Sequence, residues 1–379
     1  MKKIITLVVL IAICSISFAT EARMEALGVN PIYYNDDAII GLFPHYLPQY
    51  MNMAYIDGYY YSYYKCMDKF SGGLNMRLAG KNVGIYINKD FPIRFDYSID
   101  KTESARLDKA LNLYYATDDF GFGLDLAMDK YKNDATKQEQ STFGIGGKIG
   151  TTLDGIDLGG QVYFASGKDK NSTEIKNSAF MVGLAARKKM FETKKSFVYP
   201  AIEFEFYTEK ETIEGTTKTD NQTENTDTSF EIFPGIGFNH WLTKEVMVIG
   251  AATVGFNSCK EETKYTYKDT TYSHDKTTFT LPKLELGLEA YPAKWLTLRA
   301  GINKSYLYKI EPIDDYKSDD KVYYYDSYFS YSFGVGLHFG RFIIDWEICD
   351  DLLWNAPYII SGMTSEFAST LSLKYVFGN

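Results

Sequence analysis

The sequence predicts an all-β protein: a transmembrane, antiparallel, up-and-down β-barrel of about sixteen strands (fourteen is also compatible), with an N-terminal plug segment. Three observations predict it. Stretch after stretch alternates large apolar residues with small or charged ones. Short turns alternate with long polar connections. The 379 residues include 32 Tyr and 25 Phe, an excess suited to a boundary between grease and water, where ring and hydroxyl are each satisfied.

Taken in order, residues 1–19 read as a secretory signal peptide: Lys2 and Lys3, an apolar core from Ile4 to Ile13, then Ser17-Phe18-Ala19 as a cleavage site. The core falls well short of the ~20 residues that span a bilayer. The residue before Cys14 is Ile13, which argues against a lipoprotein. Loss of the leader removes two lysines and no acid, taking the net charge from −9 to −11. Such a chain does not seek nucleic acid. A mean hydropathy of −0.25 argues against a bundle of membrane helices.

Residues 20–51 lack alternation. "EARMEALG" is helix-like, and "DDAIIGLFPHYLPQY" mixes apolar residues with two prolines. So many apolar side chains would be poorly placed in water, so the segment is expected inside the barrel as a plug or hatch. Residues 52–379 form the barrel itself.

Strands are expected near 52–65, 72–79, 83–89, 108–117, 120–130, 141–151, 155–166, 176–189, 196–210, 228–242, 245–258, 276–291, 295–309, 325–339, 341–349 and 366–378. "FGFGLDLAM" is typical: Phe120, Phe122, Leu124, Leu126 and Met128 share one face, with Gly121, Gly123, Asp125 and Ala127 on the other. Short turns are expected at 80–82, 117–119, 153–155, 243–244, 292–294 and 340–341. Long polar loops are expected at 130–140, 167–176, 211–226, 260–275 and 311–320. Short turns at one end and long loops at the other describe a membrane barrel whose apolar face meets lipid and whose other face meets the lumen. In "FTLPKLELGLEA" the phase slips by one at Pro282-Lys283, where a bulge or kink in the wall is expected, since proline cannot donate to the ladder.

Reading inward residues by parity gives candidate pore-lining charges: Arg77, Asp125, Lys148, Asp157, Arg187, Glu203, Glu205, Glu231, Glu285, Glu289, Arg299, Asp345, Glu347 and Lys374, with His338 beside them. Acids outnumber bases, which suits a pore with modest cation preference. The same charges could instead pair with one another and with the plug, closing the lumen. An enzyme is not expected. Only four histidines exist, His45, His240, His274 and His338, and no G-x-S-x-G, H-E-x-x-H or P-loop accompanies them. No cofactor or metal is implied: the loop acids Asp314, Asp315, Asp319 and Asp320 lack EF-hand spacing. Cys66, Cys259 and Cys349 are too scattered for a disulfide framework or zinc site, and leave the pairing of any two open. "YYYDSYFSYSF", from Tyr323 to Phe333, reads as an aromatic girdle merging with a loop.

The C-terminus "FASTLSLKYVFGN" resembles the terminal strand signal of bacterial outer-membrane proteins, recognised by the barrel-assembly machinery, with Gly378 and Asn379 following the usual final aromatic. The N-terminal segment resembles the opening of the FadL-like outer-membrane transport family. Ala22-Arg23, Ala26-Leu27-Gly28 and Asp36-Asp37 match that family's order, and Phe43-Pro44 stands where it has asparagine-proline. This resemblance covers about thirty residues. It implies an N-terminal hatch inside a barrel, usually of fourteen strands, that passes hydrophobic small molecules. The expected function is therefore an outer-membrane channel, of porin or passive-transporter type, for small molecules, hydrophobic ones among them. The alternative is a closed structural barrel whose outer loops bind a partner or surface. Expected partners are outer-membrane lipid and lipopolysaccharide, the assembly machinery during biogenesis, and a small-molecule solute the sequence does not name.

Overall fold

The computed structural model describes residues 20–34, 36–61, 66–89, 91–95, 107, 109–134, 138–170, 174–214, 223–265, 270–312, 321–348 and 370–377. The expected leader, the loop acids 314–320 and Cys349 lie outside the described residues. Sixteen strands make one sheet. They are β1 (Met53–Tyr61), β2 (Cys66–Leu78), β3 (Lys81–Lys89), β4 (Ala110–Ala116), β5 (Phe120–Asn133), β6 (Gln138–Leu153), β7 (Ile156–Lys170) and β8 (Glu174–Lys188). The second half comprises β9 (Ser196–Glu214), β10 (Thr223–Trp241), β11 (Val246–Tyr265), β12 (Thr270–Ala293), β13 (Leu296–Pro312), β14 (Lys321–Phe339), β15 (Phe342–Ile348) and β16 (Thr370–Val376). Every strand pairs antiparallel with its sequence neighbours, and β1 pairs with β16, Met53 opposite Val376, so the sheet closes on itself. The sixteen expected strands correspond one to one with these, and the alternative of fourteen is excluded.

Alternation sets the two surfaces. On β5, Phe120, Phe122, Leu124 and Met128 point outward with 41–70% exposure, while Asp125 and Ala127 face inward at 1%. The same holds round the barrel: Ile145, Val162, Leu184, Ile236, Leu286, Ile302 and Phe333 are exposed on the outside. Closure leaves no sheet edge to be satisfied by water. On the outer surface, rings of Phe204, Phe230, Phe256, Phe279, Tyr308 and Tyr325 follow one another across six strands, centroids 5.0–6.2 Å apart. The β6–β7 turn is Asp154-Gly155, both at positive φ (51° and 73°), the backbone that matches the twist of a two-residue hairpin.

One expectation needs correction. The long polar loops are shorter than the sequence reading made them, because the strands run on into them. β11 and β12, for example, continue to Tyr265 and from Thr270. Threonines of high strand propensity and cross-strand ion pairs extend the ladders, among them Lys276–Glu261 at 2.6 Å, Lys210–Glu224 at 3.2 Å and Lys130–Glu139 at 2.9 Å. The β3–β4 connection turns inward in its described part. Phe91, Ile93 and Leu107 are 0–4% exposed and pack on the inward residues Ala127, Tyr163, Ala165, Ala179 and Met181. The last strand is described from Thr370, and the expected residues 366–369 lie outside the described residues. At the phase slip, Thr280 stands opposite Gly255 and Leu307, and Lys283 opposite Thr253 and Ser305. Leu281 and Pro282 therefore face a single residue on each neighbouring strand.

Candidate functional site

The N-terminal segment sits against the inward faces of the strands. Helix α1 (Thr20–Leu27) buries Ala22, Ala26 and Leu27, each at 0% exposure, and ends at Gly28 in a left-handed conformation (φ 60°). Its close approach is permitted by glycines. Gly287, Gly301 and Gly334 on β12–β14 lie under it, and a Cβ added to Gly334 would come within 2.4 Å of the Ala26 methyl. Ser332 Oγ donates to the Ala26 carbonyl at 3.0 Å. A second glycine row lies across β5–β7: Gly121 is paired with Gly150, and Gly150 with Gly159. Against it lie residues 42–45, and a Cβ on Gly121 would meet the His45 backbone nitrogen at 2.1 Å. Between these rows Ile32, Tyr33, Ile39 and Phe43 join Tyr199, Met247 and Ile249 in one apolar cluster.

Charges fasten the segment. Arg187, 1% exposed, is 3.1 Å from Asp157 and donates to the carbonyls of Ile32 and Tyr34 at 3.1 and 3.2 Å. Its guanidinium lies 4.6 Å from the Tyr199 ring centroid. Tyr46 donates its hydroxyl to Asp157 at 2.7 Å. Arg299 links Glu289 (2.7 Å) and Asp345 (2.5 Å). Glu289 also takes Arg23 of α1 at 2.9 Å, and Arg23 reaches Asp36 at 2.6 Å. Lys374 meets Asp37 at 3.0 Å, and Lys148 meets Asp125 at 3.2 Å. Burial pushes the phenols of Tyr33 and Tyr46 in this segment up to about 12.

A different sector stays open. Glu203, Glu205, Glu231 and Glu285 line a cavity of about 300 Å³, together with Asn30, Gln161, Phe233, Thr253 and Lys283. Asn30 donates to Glu203 at 2.9 Å, Asn257 donates to Glu231, and Lys283 lies 2.6 Å from Glu285. Of these four carboxylates one, Glu285, is paired with the lysine of the cavity wall.

The sequence-derived candidates accordingly separate. Asp157 and Arg187 come together, as do Glu289, Arg299 and Asp345, Asp125 with Lys148, and the four cavity glutamates. Glu347 stands opposite Gly334 and Thr370 in the ladder. Arg77 is apart from all of them, exposed near the β2–β3 turn and bonded to Asn82 at 3.2 Å. His338 is bonded to Thr297 at 2.9 Å. Sequence reading missed Asp57 and Lys89. Lys89 bridges Asp57 (2.9 Å) and Glu21 of α1 (2.6 Å), and Asp57 also accepts from Ser372 at 2.7 Å. β1 reads "MAYIDGYYY", apolar on both faces, so parity gave no signal there. Cys259 is a free thiol. Among the described residues no group of His, Cys, Asp and Glu is arranged to hold a metal ion.

No family model matches the chain, and no curated protein matches it. Among solved structures it is similar to a FadL homologue of Pseudomonas aeruginosa, at 13% identity, over 96% of this chain and 99% of that one, with a TM-score of 0.45. It is similar to the CymD monoaromatic hydrocarbon channel at 9% identity, over 96% and 98%, with a TM-score of 0.42. It is also similar to the ferric yersiniabactin uptake receptor FyuA from Yersinia pestis, at 10% identity, over 78% of this chain and 60% of that one, with a TM-score of 0.38. At these values nothing further follows from the likenesses.

Proposed function

We propose that this protein is a bacterial outer-membrane channel for passive passage of small solutes, with residues 20–51 as its plug and residues 1–19 as the export leader. Two features of the outer surface support the membrane setting. The outside carries an apolar belt far larger than the few hundred Å² a soluble monomer exposes, and an aromatic row lies along it as at a lipid–water interface. The observation that carries the channel reading is the acid-lined cavity of about 300 Å³ beside the segment. A plug that filled the lumen for structural reasons alone would have no use for four carboxylates lining a cavity with a single lysine among them. Such a wall favours cations over anions in a wet lumen, and it suits polar solutes better than hydrophobic ones.

Planar-bilayer recording tests this. The mature chain should conduct weakly and prefer K⁺ over Cl⁻ in a salt gradient, and deletion of residues 20–51 should raise conductance about tenfold. Silence from both forms would sink the reading. It would leave the second one, a closed barrel that presents its outer hairpins to a partner. That reading is favoured by the length of β9–β14, 17 to 24 residues each, against the 9–11 that cross a bilayer.

A further inference from the structure

The outer surface, towards the long hairpins, carries lysines of two kinds. Lys130, Lys168, Lys176, Lys210 and Lys260 each meet a glutamate of the same face at 2.5–3.2 Å. The residues directly across from them are polar, such as Ser141 from Lys130 and Lys168, Ser178 from Lys210 and Thr228 from Lys260. Lys304 on β13 is of the other kind. Opposite it stand Leu284 on β12 and Phe329 on β14, and the residues that share its face on β13 are Ile302 and Tyr306. Those four are 45–60% exposed on the outside, so an ammonium is set into the apolar belt. It donates to Ser327 Oγ at 3.2 Å and lies 4.9 Å from the Tyr306 ring centroid. No carboxylate among the described residues answers it.

A charge on the lipid-facing side of a barrel is destabilising unless its head finds partners. A lysine ammonium has three donors, and Ser327 takes one. The side chain is aimed away from the short turns, because Ser327 stands opposite Tyr306, farther along β13 towards its hairpin. About 9–11 residues cross a bilayer, and counted from Leu296 they end near Tyr306. The ammonium therefore lies at the outer edge of the hydrocarbon. In the membrane setting lipid bathes this surface, so the missing anion comes from a head group. We infer that Lys304, with Ser327, holds the phosphate of an outer-leaflet lipid whose acyl chains lie on Ile302 and Leu284. The inference rests on the membrane setting proposed above and is independent of conduction.

The test is native mass spectrometry of the mature chain in a maltoside detergent, with diphosphoryl lipid A as probe and phosphatase-treated lipid A as comparison. The phosphorylated form should bind about fivefold more tightly, the usual worth of one lysine against anionic lipid. Lys304→Met should erase that preference and leave the barrel folded, read by heat-modifiable gel mobility, since it only takes a charge out of lipid. Tyr306→Glu keeps the lysine and gives it a carboxylate two residues on, as Glu262 does for Lys260. It should erase the preference too, and it decides where Lys304→Met does not fold. Lys130→Met, at a lysine already paired, should change nothing. Equal binding of the two lipids, a preference that survives Lys304→Met or Tyr306→Glu, or an equal loss in Lys130→Met would overturn the site. So would displacement of lipid A by an equal concentration of inorganic phosphate, which would assign the lysine to a free ion. Failure of the membrane setting itself would show separately, as a mature chain that stays monomeric in buffer without detergent.

Discussion

The lumen wall around Asp157, Arg187, Glu289, Arg299 and Asp345 and the wall around Glu203, Glu205, Glu231 and Glu285 are built by the same alternation but end in different states. In the first, inward charges meet the N-terminal segment or one another, and glycine rows let its backbone come close. In the second, four glutamates line a void with one lysine among them. The difference lies in the supply of partners: Arg23, Asp36 and Asp37 all belong to the segment and all turn towards the closed side. An inward charge is a fastening where a charged residue of the segment answers it, whereas the cavity glutamates Glu203 and Glu285 receive from the segment the neutral Asn30.

The comparison breaks most readily at Arg187. Arg187→Met leaves Asp157 buried without its cation and removes the donor to two segment carbonyls. Breaking such a pair costs about 3–5 kcal/mol, so the segment should become sensitive to added protease and conductance should rise towards that of the deletion. Gly150→Val tests the glycine row without touching a charge. Overpacking costs about 1–3 kcal/mol, and the variant should keep its barrel, read by heat-modifiable mobility, while conducting more. On the open side the expected result is reversed. Glu205→Gln with Glu231→Gln should leave thermal stability almost unchanged and reduce the K⁺/Cl⁻ permeability ratio about twofold. A large loss of stability there would mean the two sectors do not differ.

A pH experiment sharpens the contrast. The phenols of Tyr33 and Tyr46 titrate at about 12 in the folded chain, against about 10 when exposed. A raised phenol binds its proton more tightly when folded, so its stabilisation is complete below pH 10 and is lost as pH rises through about 12. Segment release, followed by protease sensitivity, should therefore begin above pH 10, and Tyr33→Phe should shift it upward. The smallest effect is expected at the β11–β12 hairpin. Lys276→Ala removes an exposed cross-strand pair and should cost less than about 1 kcal/mol.

Strand number, strand order and the facing of residues such as Asp125 and Glu231 were legible in the sequence because a period of two is a local property. What each inward charge touches was not. Arg187 and Arg77 read alike by parity, yet one is buried in the segment and the other exposed by a turn, because their partners are remote in the chain. Strand ends were missed where threonine-rich stretches read as loops, since ion pairs such as Lys276–Glu261 exist only once the hairpin registers. The seat for the segment did leave a trace. "VMVIGAAT" is apolar on both faces, as a strand covered on both sides should be, and it supplies Met247 and Ile249. The inward fold of Phe91 and Ile93 had no comparable periodic signal.

The first and last described stretches meet in this molecule. The Ala22 amide donates to Ser372 Oγ at 3.3 Å, and Asp37 takes Lys374, so the first residues described are fixed by the last strand. A polypeptide cut short before Thr370 could still form most of its sheet but would offer its own beginning an unfinished berth. In the proposed channel, seating of the segment therefore depends on the last strand, and a form truncated before Thr370 should leak in planar-bilayer recording.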